Sequence, residues 1–184
     1  MKKLVATTMA FVIAAAAAVG VAEELTSGLP TGTKPVPAFN VKDVTGPSKG
    51  ESLCYRCQYG ARPVVTIFAR EVNDNLASLI KEVDGLVKKN EAKQMKAFVV
   101  LLSDKPDAEK KLTELAAKHD IKSVPLTVFD TQAGPPAYKI AKDAEVTVMM
   151  WNKQEVKANQ SFAKGKFDKK SAEGVIADTA KILN

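Results

Sequence analysis

The chain has 184 residues, a formal charge of +6, 46% hydrophobic and 26% charged side chains, and only two cysteines. That length and apolar content suit one domain with a sizeable core. The lysines are scattered, with no dense basic block and no interleaved aromatics, which argues against nucleic-acid binding and reads as a solvated surface.

The N-terminus reads as an export signal. Lys2 and Lys3 form a charged start, residues 11–19 a short apolar core, and Gly20-Val21-Ala22 a small-residue cleavage site. Cleavage after Ala22 leaves a mature chain from Glu23 and, by removing Lys2 and Lys3, lowers the formal charge from +6 to +4. The alternative is an uncleaved anchor. Residues 4–22 are nearly long enough to span a bilayer, but Thr7 and Thr8 interrupt them. No cysteine follows the apolar core, so no lipid-modified start is expected. No later segment is apolar enough to cross a membrane. The expected location is periplasmic or secreted, where a disulfide persists.

Gly28, Pro30, Gly32, Pro35 and Pro37 punctuate the next stretch. Residues 23–36 therefore read as a flexible linker, leaving 37–184 as the folded domain. Residues 39–44 (Phe39-Asn40-Val41-Lys42-Asp43-Val44) alternate as a short strand does. Thr45-Gly46-Pro47-Ser48-Lys49-Gly50 is a turn. The cysteine segment follows and closes at Gly60.

Residues 64–69 are a continuous β-branched and apolar run, as in a strand buried on both faces. Asn73 or Asp74 can cap the helix that follows. Its stripe is Leu76, Leu79, Ile80, Val83, Leu86 and Val87, and Asn90 is its stop. Residues 97–102 form a second buried strand. Pro106 precedes a helix with the stripe Ala108, Leu112, Leu115 and Ala116. Residues 124–129 make a third strand, and 138–141 one helical turn. Residues 145–151 and 155–162 form an antiparallel hairpin around Asn152-Lys153-Gln154. Asp168 caps a final helix with the stripe Ala172, Val175, Ile176, Thr179 and Leu183. The two strand–helix–strand units imply right-handed crossovers and a mainly parallel sheet with helices on both faces.

Cys54 and Cys57 are spaced C-x-x-C. On an extended strand, positions three apart point to opposite faces. A bond between them therefore requires a turn over residues 53–58. Such a pair in an exported chain serves thiol–disulfide exchange, a structural staple, or soft-metal binding such as copper. As a staple it contributes only about 2 kcal/mol, because the loop is so small. Arg56 and Arg62 are the nearby cations that could stabilise a thiolate, and no helix N-terminus is expected at the sulfur. A closed zinc site needs about four ligands. His119 is the only histidine and reads as a surface residue. Met149 and Met150 are adjacent on a strand, so at least one belongs to the core. Cys-x-x-Cys-Gln lacks the histidine of a c-type haem site. Asp104 and Asp107 read as helix capping and first-turn charge, and Glu71 as an exposed loop residue.

The order of elements, with Pro37-Ala38-Phe39-Asn40-Val41-Lys42-Asp43-Val44-Thr45-Gly46, Arg62-Pro63-Val64-Val65-Thr66-Ile67-Phe68 and Val124-Pro125-Leu126-Thr127-Val128-Phe129-Asp130, resembles the thioredoxin-like superfamily, in its peroxiredoxin/redoxin branch. The resemblance covers residues 37–183. It implies a mainly parallel central sheet with helices on both faces, then a C-terminal β-hairpin and helix. Two departures stand out. Relatives with a reactive cysteine place it at the start of the helix after the first core strand, whereas this chain has Arg70-Glu71-Val72-Asn73-Asp74-Asn75 there. The redoxin register puts the usual cis-proline position near Val146-Thr147, where there is no proline. The competing thioredoxin register puts it at Pro125.

The resemblance implies thiol–disulfide exchange through Cys54 and Cys57 with a protein thiol or disulfide partner. By the usual N-to-C order, Cys54 attacks and Cys57 resolves. A conventional peroxidase is not expected, nor is a bound cofactor or resident metal. The alternatives are a non-catalytic thioredoxin-fold binding domain with a structural disulfide, and a periplasmic copper-binding protein.

Overall fold

A computed structural model describes residues 25–184, so the expected export signal over residues 1–22 lies outside the described residues. Seven strands form one sheet: β1 (Val41–Asp43), β2 (Ser52–Leu53), β3 (Val64–Ala69), β4 (Lys96–Leu102), β5 (Leu126–Phe129), β6 (Ala144–Asn152) and β7 (Glu155–Ala163). The helices are α1 (Tyr55–Tyr59), α2 (Asp74–Lys89), α3 (Ala108–His119), α4 (Lys169–Asp178) and α5 (Ala180–Leu183). The strand order is β2-β1-β5-β4-β3-β6-β7. The central three strands are parallel. β1 pairs antiparallel with both β2 and β5, and β6 pairs antiparallel with β3 and β7. The expected class is observed, with parallel pairing confined to the centre.

β3 shows why these runs become strands. Val65, Ile67 and Ala69 join one core cluster, while Val64 and Phe68 join the other. Alternation with both phases apolar suits a sheet covered on both sides. α2 begins where Asn73 Oδ1 accepts the Leu76 N–H at 2.9 Å, an N-cap bond. It ends at Asn90, as expected. Its apolar stripe, including Leu76, Leu79, Ile80 and Val83, packs with Leu112 and Leu115 of α3 and Val175 of α4 on one face of the sheet.

Helices lie on both faces, as expected, but unequally: α2, α3 and α4 pack on one and the short α1 on the other. The chain steps from β3 to β4 to β5 in one direction across the sheet. Successive right-handed crossovers made in one direction put α2 and α3 on the same side. The other face is covered by the five-residue α1, by Tyr138 in a short 3₁₀ turn, and by residues 25–40. That N-terminal stretch has no regular secondary structure, yet it is not a loose tether. Leu29 and Val36 are buried. The N–H of Gly32 donates to the Val156 carbonyl at 2.8 Å, and that of Val36 to the Gln154 carbonyl at 3.0 Å. Without this strap, apolar side chains of β6 and β7 would face water.

Other boundaries move for local reasons. β5 begins at Leu126 because Pro125 has no N–H and that of Val124 is taken by Asp84 Oδ1 at 3.2 Å. The helical turn expected at 138–141 lies at Pro136–Tyr138. The last helix breaks at Thr179, whose hydroxyl donates to the Ile176 carbonyl at 2.7 Å. Ile182, rather than Leu183, is then fully buried. The Val124–Pro125 peptide is trans; among the described residues the cis bond is Lys34–Pro35.

Candidate functional site

Cys54 and Cys57 form a disulfide, with Cα atoms 5.2 Å apart. The required turn is α1, a helical turn that the sequence does not announce. Cys54 is its N-cap in extended backbone, and Cys54 Sγ accepts the Cys57 N–H at 3.0 Å. The helix start expected to be missing is therefore present, as one short turn. Gly60, at φ 59°, ends it in a left-handed conformation that suits glycine.

α1 is held by its tyrosines. Tyr55 is 1% exposed. Its ring lies 5.6 Å from that of Phe98 and 5.3 Å from that of Tyr59. Its hydroxyl donates to Asp43 Oδ2 at 2.7 Å. The Asp43 carboxylate also accepts the N–H groups of Gly46 at 2.7 Å and Ser48 at 2.9 Å, so one buried acid closes the β1–β2 turn and anchors the disulfide segment. Burial raises the Tyr55 pKa, and the hydrogen bond to Asp43 raises it further. Tyr55 therefore stays a donor at ordinary pH.

Cys57 is exposed and Cys54 half-buried. The two arginines do not supply the sulfur contact. Arg56 donates to Gln154 Oε1 at 2.8 Å, and Arg62 to the Gln58 carbonyl at 3.0 Å. The sulfur's donor is the backbone N–H of Cys57.

The pair lies at the N-terminal end of the parallel strands. Ala61 accepts from Lys153 in the β6–β7 turn at 3.0 Å, and Pro63 from Lys96 at the start of β4 at 2.9 Å. The start of α2, where related folds place a reactive cysteine, is at the opposite end. Asn73 there donates to Glu145 Oε1 at 2.9 Å. Between the two ends run the six residues of β3, roughly 20 Å at about 3.3 Å per residue. The chain does not fold Cys54 and Cys57 over the α2 start.

The remaining candidates separate. Asp107 pairs with Lys111 at 2.8 Å, Asp104 accepts from Gln132 at 3.1 Å, and Glu71 lies 3.5 Å from Lys164 on the surface. His119 ends α3 and lines a cleft with Val72 and Asn73. Met149 and Met150 are both buried, on opposite faces of the sheet. Among the described residues no group of three or more His, Cys, Asp or Glu side chains is placed to hold a metal. No helix among them is long and apolar enough to cross a membrane.

Three polar anchors were not singled out from sequence. Asp43 carried a signal, since it shares strand phase with Phe39 and Val41 and so points inward. Asp84 Oδ1 gathers the N–H groups of Lys122, Ser123 and Val124 at 2.9, 2.5 and 3.2 Å. Arg70 donates to the carbonyls of Ala144 at 2.8 Å and Ala141 at 2.9 Å, and to that of Gln132. Asp84 carries one local signal, Lys88 four residues on and 2.7 Å away, but the N–H groups it gathers and the carbonyls that hold Arg70 are distant in the chain.

No described protein family matches the sequence, and no curated protein matches it. Solved structures do. A Chlorobium tepidum protein provisionally described as thiol:disulfide interchange protein DsbE superposes with a TM-score of 0.64 at 14% identity, over 85% of this chain and 99% of its own. Peroxidoxin BcpB from Mycobacterium tuberculosis gives 0.57 at 17%, over 83% and 97%. The thioredoxin domain of a thiol-disulfide oxidoreductase from Bacteroides vulgatus gives 0.58 at 12%, over 85% and 99%. The fold is thioredoxin-like, of the redoxin type.

Proposed function

We propose that this chain is an exported thioredoxin-fold protein that exchanges disulfides with protein partners through Cys54 and Cys57. The observation that carries the proposal is the bonded pair itself. Its outer residue, Cys57, is exposed, while its inner sulfur, on Cys54, has a backbone donor at 3.0 Å. A partner thiolate attacks Cys57 Sγ. The S–S bond breaks and its electron pair leaves on Cys54, where the Cys57 N–H stabilises the thiolate. A second partner thiolate attacks the partner's sulfur of the mixed disulfide and releases Cys57. Two electrons pass to the protein, and the protons shed by the partner thiols balance those taken up by the cysteines. This order makes Cys57 the partner-facing sulfur and Cys54 the resolving one, the reverse of the order expected by analogy.

The competing reading is a fixed staple in a binding domain. The position of the pair, about 20 Å from the α2 start, favours it. Equilibration in graded thiol buffers separates the two. A midpoint above about −300 mV, with Cys54→Ser accumulating a mixed disulfide on Cys57, supports exchange. A pair that stays oxidised throughout leaves the staple. The charged, apolar and small-residue segments of residues 1–22 support export. N-terminal sequencing of protein recovered outside the cytoplasm tests it, with Glu23 as the expected start.

A further inference from the structure

We propose that the groove beside α1 docks an acidic, cysteine-bearing segment of the partner protein. This names the partner class for the exchange reading and rests on it. Two surface hollows of about 450 and 560 Å³ adjoin at Lys96 and Ser123. The first is bounded by Pro47, Gln58, Tyr59 and Lys122. Gln58 directly follows the exposed Cys57. Neither cysteine lines the two hollows, so a segment in the groove reaches Cys57 only by continuing past Gln58 and around α1.

The charge of the groove selects its occupant. Arg62, Lys88, Lys96 and Lys122 line it, against one lining acid, Glu91. Lys88 is neutralised by Asp84 at 2.7 Å and Lys122 by Asp120 at 2.7 Å. Lys96 and Arg62 are half-buried, and among the described residues neither has a carboxylate within ion-pairing distance. A partly desolvated cation without a counter-charge gains most from an incoming carboxylate. Amide and hydroxyl groups on Gln58, Gln94 and Ser123, with the flat faces of Pro47 and Tyr59, suit an extended peptide better than a single small anion.

The test has a binding arm and a kinetic arm. Fluorescent pentapeptides with a central serine, flanked by Glu or by Lys, are titrated against the oxidised protein by anisotropy. The Glu peptide is expected to bind at least tenfold more tightly, with a preference that fades as salt rises. Lys96→Gln with Arg62→Gln should abolish the preference, and Lys96→Arg should retain it. In the kinetic arm, the pre-reduced protein reduces the symmetric disulfides of matching cysteine peptides. The Glu-flanked disulfide should react several-fold faster than the Gln-flanked one, and the double variant should lose only that advantage. Equal binding of the Glu and Lys peptides, or a preference unchanged by the double variant, overturns the proposal. Failure to reduce the Gln-flanked disulfide instead defeats the exchange reading, while the binding arm still decides the groove.

Discussion

The Tyr55 hydroxyl sits 2.7 Å from Asp43 Oδ2, and through that bond the residue next to Cys54 is tied to the turn that opens the domain. A buried acid, two backbone N–H groups and a phenol thus define where the disulfide segment lies. Tyr55→Phe removes one charge-assisted hydrogen bond while keeping the ring contacts with Phe98 and Tyr59. The expected cost is about 2 kcal/mol, read as a lower urea midpoint with an unchanged slope. Faster amide exchange at Cys57 should accompany it. An unchanged midpoint would show that the anchor is energetically idle.

Reduction of Cys54–Cys57 should leave the protein folded. The bonded residues are three apart, so the loop they close is small and its loss costs about 2 kcal/mol. The far-ultraviolet circular dichroism spectrum should persist after reduction, with a modest fall in midpoint. Unfolding on reduction would mean that the bond does far more than loop closure accounts for.

Asp84 makes stability pH-dependent on the acid side. Burial acts to raise its pKa, but the Lys88 ammonium and the N–H groups of Ser123 and Lys122 outweigh burial and hold it below the ordinary carboxylate value. Its contribution is complete above the unfolded-state pKa and is lost as pH falls through the lowered folded-state value. Asp84→Ala should cost about 3 kcal/mol at neutral pH, by freeing three N–H groups. Denaturation at stepped pH should show the variant closing its gap with the parent protein in acid. A gap that is constant with pH would refute this assignment.

Gly28 tests whether the N-terminal strap is part of the fold. Its φ is +86°, and an added Cβ would lie 3.0 Å from both Met149 Sδ and Thr147 Cγ2. Gly28→Ala should cost about 1–2 kcal/mol from the left-handed backbone alone, and more from crowding. Thermal melts should show a clear fall, whereas the exposed Gly32 should pay only the backbone penalty. Equal shifts at both positions would contradict the tight packing at Gly28.

Much of the fold is legible because its signals are local. β3 is a six-residue apolar run, and α2 is bounded by Asn73 and Asn90, which cap it through bonds within a turn. The hairpin turn places Lys153 and Gln154 at φ 50° and 61°, where the sequence expects a turn. α1 and β2 are too short, at five and two residues, for periodicity to report them. The strap reads as a linker because its glycines and prolines deny it regular structure, which says nothing about burial. Asp43 reveals itself only through strand phase, and Asp84 depends on N–H groups some 40 residues away.

By itself the sequence determined which of the longer segments become strands and helices, and that Cys54 and Cys57 can bond only across a turn, since these follow from backbone sterics and the spacing of apolar side chains. The tertiary structure decided on which side and at which end everything falls. The one-way march from β3 through β4 to β5 put α2 and α3 on a single face. The strap and α1 then had to cover the other face, and α1 carried the disulfide to the N-terminal ends of the parallel strands. Strand order is set by contacts between distant residues, which local spacing does not encode.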